Sequence, residues 1–370
     1  MGKLLPLIFY YQALIYSFFL RLKLVFKNDS NPRHKSTIVI SASPKGHELI
    51  ELKEILQSAR EFGGITRVIT HTVDRTENFV TQLKKCYDST PFTHILFDPR
   101  SGRAESDQNL NNAIIDSFQL LAFVTFHKII PIVYLTDVSM RNWRIQAAIV
   151  TCRTGIVVNF MHPSICSAIF PHSRLLGPII MPISIKTFKK NSKHKNKSNN
   201  SKPKAVFIGS TYEPRKTFLN QLKSIVGPDL TVNDRKLGSR RIDNDKYWQQ
   251  LIEADIVITT CLQMNGPNRD MTEYPQLVYR FLEVMSCGTL LMAPNIPGAN
   301  RYFRDGEHFV LYENLEDAAK KMRYFLDNSD SRLRIAKAGL TRAKNIIESN
   351  TFWSQIDFSL GSEGLTNHNF

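Results

Sequence analysis

Acidic residues are the scarce charge in this chain: 33 Asp and Glu stand against 48 Lys and Arg in 370 residues, a formal net charge of +15. An excess of that size would suit a polyanion-tracking surface if it were spread over a folded body. It is concentrated instead. Residues 186–204 hold eight Lys and no acid, and residues 1–35 hold six Lys or Arg and one Asp. The remainder is close to neutral, which argues against nucleic acid as a partner. Cysteine is also sparse, with five residues at 86, 152, 166, 261 and 287 and no C-x-x-C pair. An odd, unclustered set argues against a disulfide framework or a zinc site and for a reducing compartment. No G-x-G-x-x-G follows the first strand of either half, which weakens a nicotinamide dehydrogenase reading. No short-period repeat is present, so a solenoid is excluded.

What is present begins with a long apolar run. "LLPLIFYYQALIYSFFL" (Leu4–Leu20) has no charge over 17 residues, about 26 Å of helix against the roughly 30 Å hydrocarbon core. Arg21, Lys23 and Lys27 follow it, and no small-residue cleavage site does, which disfavours a cleaved signal peptide. Three readings stay open: a single span, a helix lying in the membrane interface over residues 4–26, or a core helix. The positive flank would keep the body on the cytoplasmic face of a membrane.

From residue 36 strand and helix patterns alternate: "TIVISAS", "ITRVITHTV", "THILFDP", "IIPIVYLTD", "GIVVNF" and "PIIMPIS" are strands with helical stretches between them. Such alternation predicts a mainly parallel sheet covered on both faces. The Lys/Asn/Ser-rich segment 186–203 breaks every period and reads as a solvated linker. The alternation then restarts with "AVFIGS" and continues through "HFVLYE". The expected organisation is a membrane-associating segment (1–35), an N-terminal Rossmann-like acceptor domain (36–185), the linker (186–203), a C-terminal donor domain (204–350) and a terminal helix and tail (351–370).

In parallel α/β sheets, ligands bind outside the carboxyl ends of the strands. Polar and glycine residues gather at those places. Gly209 and Ser210 follow "VFI", with Arg215 and Lys216 close behind. Gly298 and Ala299 follow "TLLMAP" and open a predicted short helix. His47, Asp98, Asp137 and His162 each follow a strand of the first half, where a histidine or aspartate could take a proton from a hydroxyl, or simply cap a turn. Glu283 stands in the most hydrophobic turn of "RFLEVMSCG". A buried carboxylate is costly unless paired. Arg280, three residues earlier, is one partner and a ligand is another.

"YRFLEVMSCGTLLMAPNIPGANRYFRDGEHFVLYENLEDAAKKMRYFLDN", followed by "LRIAKAGLTRAK", resembles the C-terminal half of group 1 glycosyltransferases. The spore-maturation-protein-like branch is the most similar, with its Arg-x-x-Glu helix and D-G-E-H turn. "VFIGSTYEPRKTFL" resembles the strand and Arg-bearing loop that open the same domain. The resemblance covers about residues 204–345, and the first half matches only as a generic Rossmann-like domain. It implies a GT-B fold, two Rossmann-like domains facing a cleft. It implies metal-independent transfer from a nucleotide-diphosphate sugar to a saccharide or lipid-linked acceptor in surface glycan biosynthesis, with no resident cofactor. Glu283 would accept from the ribose hydroxyls, and Arg215 and Lys216 would meet the diphosphate. One departure stands out. Many retaining members carry E-x7-E, and here Pro275 occupies the first position, leaving Asp270 or Glu273 as substitutes and the stereochemical outcome and donor sugar open. A catalytically silent scaffold or glycan-binding protein, or a nucleotide-sugar epimerase, is the alternative.

Overall fold

The structure, a computed structural model, describes residues 4–25, 36–43, 49–74, 76–98, 110–171, 173–192, 203–234, 244–266 and 269–356. His47 lies outside them. The chain divides into two compact units at Ile179/Ile180, and it returns to the first unit at Phe352.

The first unit opens with α1 (Leu4–Val25) and continues through β1 (Thr37–Ala42), α2 (Ile50–Glu61), β2 (Arg67–Thr72), α3 (Phe79–Ser89) and β3 (His94–Phe97). Then come α4 (Leu110–Phe126), β4 (Ile130–Tyr134), α5 (Arg141–Val150), β5 (Ile156–Val158), α6 (Pro163–Cys166) and β6 (Arg174–Leu176). The six strands form one parallel sheet in the order β2-β1-β3-β4-β5-β6. The inner strands β1, β3, β4 and β5 are buried along their whole length, as expected of continuous apolar runs covered on both faces. The "PIIMPIS" run, read as a strand, is not one. β6 ends before it, at Leu176, and Pro178 and Pro182 remove two donors that a central strand would need.

α1 settles along α4 and α5 through one seam. Tyr10, Ala13, Ser17 and Leu20, spaced by three and four, are buried. Tyr10 donates from its phenol to the Cys152 carbonyl at 3.1 Å, and Tyr16 meets Phe118 edge to face at 5.6 Å. The opposite stripe is apolar and exposed, with Ile15, Phe18 and Phe19 each more than half accessible. The chain's last described helix, α13 (Thr351–Ser354), also packs here. Trp353 is fully buried and donates to the Ser58 hydroxyl at 2.9 Å across 295 residues of sequence. A buried indole of this kind costs about 3–5 kcal/mol to truncate.

The second unit begins with α7 (Ile185–Ser192), so part of the segment read as linker is helical. Phe188 and Asn191 are buried, which holds this Lys-rich turn on the domain. The unit continues with β7 (Ala205–Gly209), α8 (Arg215–Val226), β8 (Leu230–Asp234), α9 (Asn244–Glu253) and β9 (Ile256–Ile258). α10 (Arg280–Ser286), β10 (Leu290–Pro294), β11 (Val310–Tyr312), α11 (Leu315–Asp327) and α12 (Ser329–Glu348) complete it. Its parallel sheet runs β11-β10-β9-β7-β8. The core joins Phe207, Leu219 and Leu222 to Met292, Met322 and Ile335. The helix expected after β10 is only a 3₁₀ turn, Ala299–Arg301, which has no aligned dipole of the size an α-helix offers.

Candidate functional site

Parallel strand order reverses at one place in each unit, and a crevice opens there at the carboxyl edge. In the second unit it lies between β7 and β9, because β8 pairs on one side of β7 and β9 on the other. Arg215 spans it. This residue opens α8, just after β7. It donates from Nε to the Thr260 hydroxyl at 2.8 Å, from Nη1 to the Ser210 carbonyl at 3.0 Å, and from Nη2 to the Leu262 carbonyl at 3.2 Å. Its guanidinium lies 4.4 Å from the centre of the Tyr212 ring. These oxygens are all neutral. Burial holds the Arg215 pKa below the ordinary arginine value, and neighbouring Arg280 adds repulsion. A guanidinium has five N–H groups, so two remain beyond these three bonds.

Gly209 ends β7 at φ 158°, and a Cβ there would come within 3.2 Å of the Phe207 ring. Lys216 is exposed at the start of α8.

Glu283 stands beside this crevice on α10, only 4% exposed. Tyr247 of α9 donates its hydroxyl to Glu283 Oε2 at 2.6 Å, and Arg280 Nη1 lies 3.6 Å from the same oxygen. Arg280 also contacts the Tyr247 hydroxyl through Nη1 and donates from Nη2 to the Ile208 carbonyl at 2.8 Å. The carboxylate is therefore paired within its own helix and hydrogen-bonded to a phenol 36 residues away. Tyr247 and Thr260 were not picked out from sequence, where each is one polar residue in an otherwise ordinary helix or strand end. The only signal was the need of Arg215 and Glu283 for partners.

Gly298 lies at the carboxyl edge of neighbouring β10, with φ 82°, the left-handed region that favours glycine, and caps the Ala299–Arg301 turn. Ala299 is buried and its backbone N–H is already bonded to the Ile296 carbonyl. In the loop before α10, Glu273 is exposed and Asp270 half-buried. The chain has one D-x-D spacing, Asp243–Asn244–Asp245, contrary to the metal-free pattern expected. Asp245 is exposed and pairs with Lys190 at 2.7 Å, and Asp243 lies outside the described residues. No group of three metal-ligating side chains occurs among the described residues.

In the first unit the candidates lie on the carboxyl edge of β4 and β5. Asp137 accepts from the Ser139 hydroxyl at 2.5 Å. His162 caps α6, its Nδ1 accepting from the Ser164 backbone N–H at 3.3 Å. Both side chains hold turns. The sheet-reversal crevice of this unit lies between β1 and β3, where Ser43 and Asp98 are buried.

Residues 215–352, less than half of the chain, match the family described as "Glycosyl transferase-like". No curated protein matches the chain. Among solved structures, Alr3699/HepE from Anabaena in complex with UDP and glucose is similar at TM-score 0.55 and 12% identity, covering 87% of this chain and 98% of that one. Sucrose-phosphate synthase from Thermosynechococcus elongatus is similar at TM-score 0.56 and 9% identity, covering 87% and 99%. With two parallel-sheet α/β units throughout, the chain has the GT-B fold, and its second unit contains a glycosyl transferase-like segment.

Proposed function

We propose that this protein is a glycosyltransferase that takes a sugar from a nucleoside diphosphate and passes it to a saccharide or lipid-linked acceptor in glycan biosynthesis. The observation that carries this reading is Arg215, a half-buried guanidinium whose hydrogen-bond acceptors are all neutral. Burying a charge without a counter-charge is costly, and an anionic ligand offsets that cost. A diphosphate on the two remaining Arg215 N–H groups, with Lys216 nearby, meets this need without a resident metal. The UDP complexes of the HepE neighbour support the same ligand class. Arg215 would stabilise the charge that develops on the departing diphosphate, an electrostatic effect worth several kcal/mol in a dry site.

Glu283 and Arg280 would act on the nucleoside side. A carboxylate accepts up to about four hydrogen bonds, so a ribose diol and the Tyr247 phenol are compatible partners. Asp137, His162 and His47 are the acceptor-side candidates of the first unit, with a proton-accepting role for one of them.

α1 favours the reading of a helix lying on a membrane over one spanning it. A spanning helix meets lipid all round, whereas α1 gives one seam to the fold and presents apolar residues on the other side. The protein would then work at the cytoplasmic face. The double variant Ile15→Glu/Phe19→Glu is expected to lose flotation with phospholipid vesicles without a change in melting temperature.

The transferase reading is tested by melting the full-length protein with UDP, GDP, CMP, ADP or NAD. A ligand at 100 times its dissociation constant adds about 2.7 kcal/mol of stability. One nucleoside diphosphate is expected to raise the melting temperature of the wild type and not of Arg215→Gln. A shift retained in the variant would remove Arg215 from the nucleotide site, and none with any nucleotide would return the protein to a scaffold role.

A further inference from the structure

The second unit holds another cationic site, one that Arg215 does not line. A groove of about 650 Å³ runs between the loop 300–308 and one face of α12. Its α12 wall is Arg334, Lys337, Ala338, Thr341, Arg342 and Asn345, spaced by three and four along the helix. Arg301 and Arg304 add charge from the loop, and Glu307 is the one acid in the lining. In a body that is otherwise near neutral, five cations against one carboxylate is a local concentration. Glu307 is already engaged, 3.4 Å from Arg304 and 3.3 Å from His308. The Arg334 and Lys337 side chains have no hydrogen bond or ion pair among the described residues.

The groove has a fixed frame. Arg342 donates from Nε to the Tyr302 carbonyl at 2.6 Å, tying helix to loop at one end. At the other, a Cβ on Gly339 would fall 2.7 Å from the His308 carbonyl oxygen. Glycine is unfavourable in the middle of a helix, and here its absent side chain lets the loop close on α12. His308 stands two residues before β11. Arg215 and Thr260, which follow β7 and β9, are not part of the groove's lining.

We propose that this groove binds a phosphate-bearing anion. Its volume suits a small molecule, and forked guanidiniums around unpaired donors match phosphate oxygens better than single carboxylates. The phosphate could be carried by a soluble metabolite or by a lipid headgroup, and the test separates these sources. This inference stands without the transferase reading.

Full-length protein in neutral detergent is titrated calorimetrically with pyrophosphate, and separately mixed with phosphatidylcholine vesicles with and without phosphatidic acid. Arg334→Gln/Lys337→Gln is expected to weaken pyrophosphate binding about tenfold or more while Arg215→Gln leaves this site filled. If only the phosphatidic acid vesicles discriminate the double variant from wild type, the groove takes a headgroup. Equal binding by wild type and double variant in both arms overturns the proposal. Should the variant fail to fold, acetylation of wild-type Lys337 decides: pyrophosphate or phosphatidic acid must slow it relative to exposed Lys320, and equal rates also overturn the proposal.

Discussion

The two sheet-reversal crevices share a topology and differ in chemistry. Between β7 and β9, Arg215 crosses the gap and Arg280 reaches the end of β7. At the ends of β1 and β3 lie the buried Ser43 and Asp98, with no arginine among the described residues that flank them. Topology decides where a ligand can sit, and residue type decides which ligand. Arg215 and Arg280 make the crevice between β7 and β9 cationic.

Arg280→Met leaves Glu283 buried without its guanidinium, an expected loss of about 3–5 kcal/mol read from chemical denaturation. Adding Glu283→Gln should recover part of it, and an unchanged double variant would mean the pair does not share one energy. Next, Arg215→Gln should weaken nucleoside diphosphate binding by about 2–3 kcal/mol, seen by calorimetry, while Asp98→Asn leaves that affinity alone. An equal loss in both would show that the second crevice is not the anion site by itself. Tyr247→Phe removes one charge-assisted bond to Glu283 and should cost about 1.5–3 kcal/mol of stability.

The smallest effect concerns pH. Burial lowers the His308 pKa, partly opposed by Glu307 and reinforced by Arg342 and Arg304. The unfolded chain therefore binds the proton first. Stability from this group is complete above the ordinary histidine value of about 6.5 and falls as pH drops through it toward the folded pKa. His308→Gln should flatten that acid-side slope in a pH series of melting curves.

Much of the fold was legible in the residues. Continuous apolar runs at β1, β3, β4 and β5 announce strands buried on both faces, and their alternation with helical periods announces a parallel sheet. "PIIMPIS" misled because its apolar content is that of a strand while its prolines forbid the ladder. The Lys-rich start of the linker misled because a single aromatic, Phe188, is enough to hold a helix down. The site was legible in part. Arg215, Arg280 and Glu283 form one neighbourhood, joined by Gly209 and Ser210. His162 and Asp137 are strand-end residues as expected, and both already hold turns.

Two α/β units in succession, a buried Glu283 and an apolar first helix all follow from the order of residues alone. Burial and period are local properties, carried by residues a few positions apart. Folding was needed to show that Glu283 answers to Tyr247, that Arg215 answers to Thr260 45 residues on, and that Trp353 closes on Ser58 in the first unit. It also decided that α1 gives just one face to the protein. Such pairings join positions whose separation along the chain carries no periodic signal, so the partners are set by the packing of whole elements.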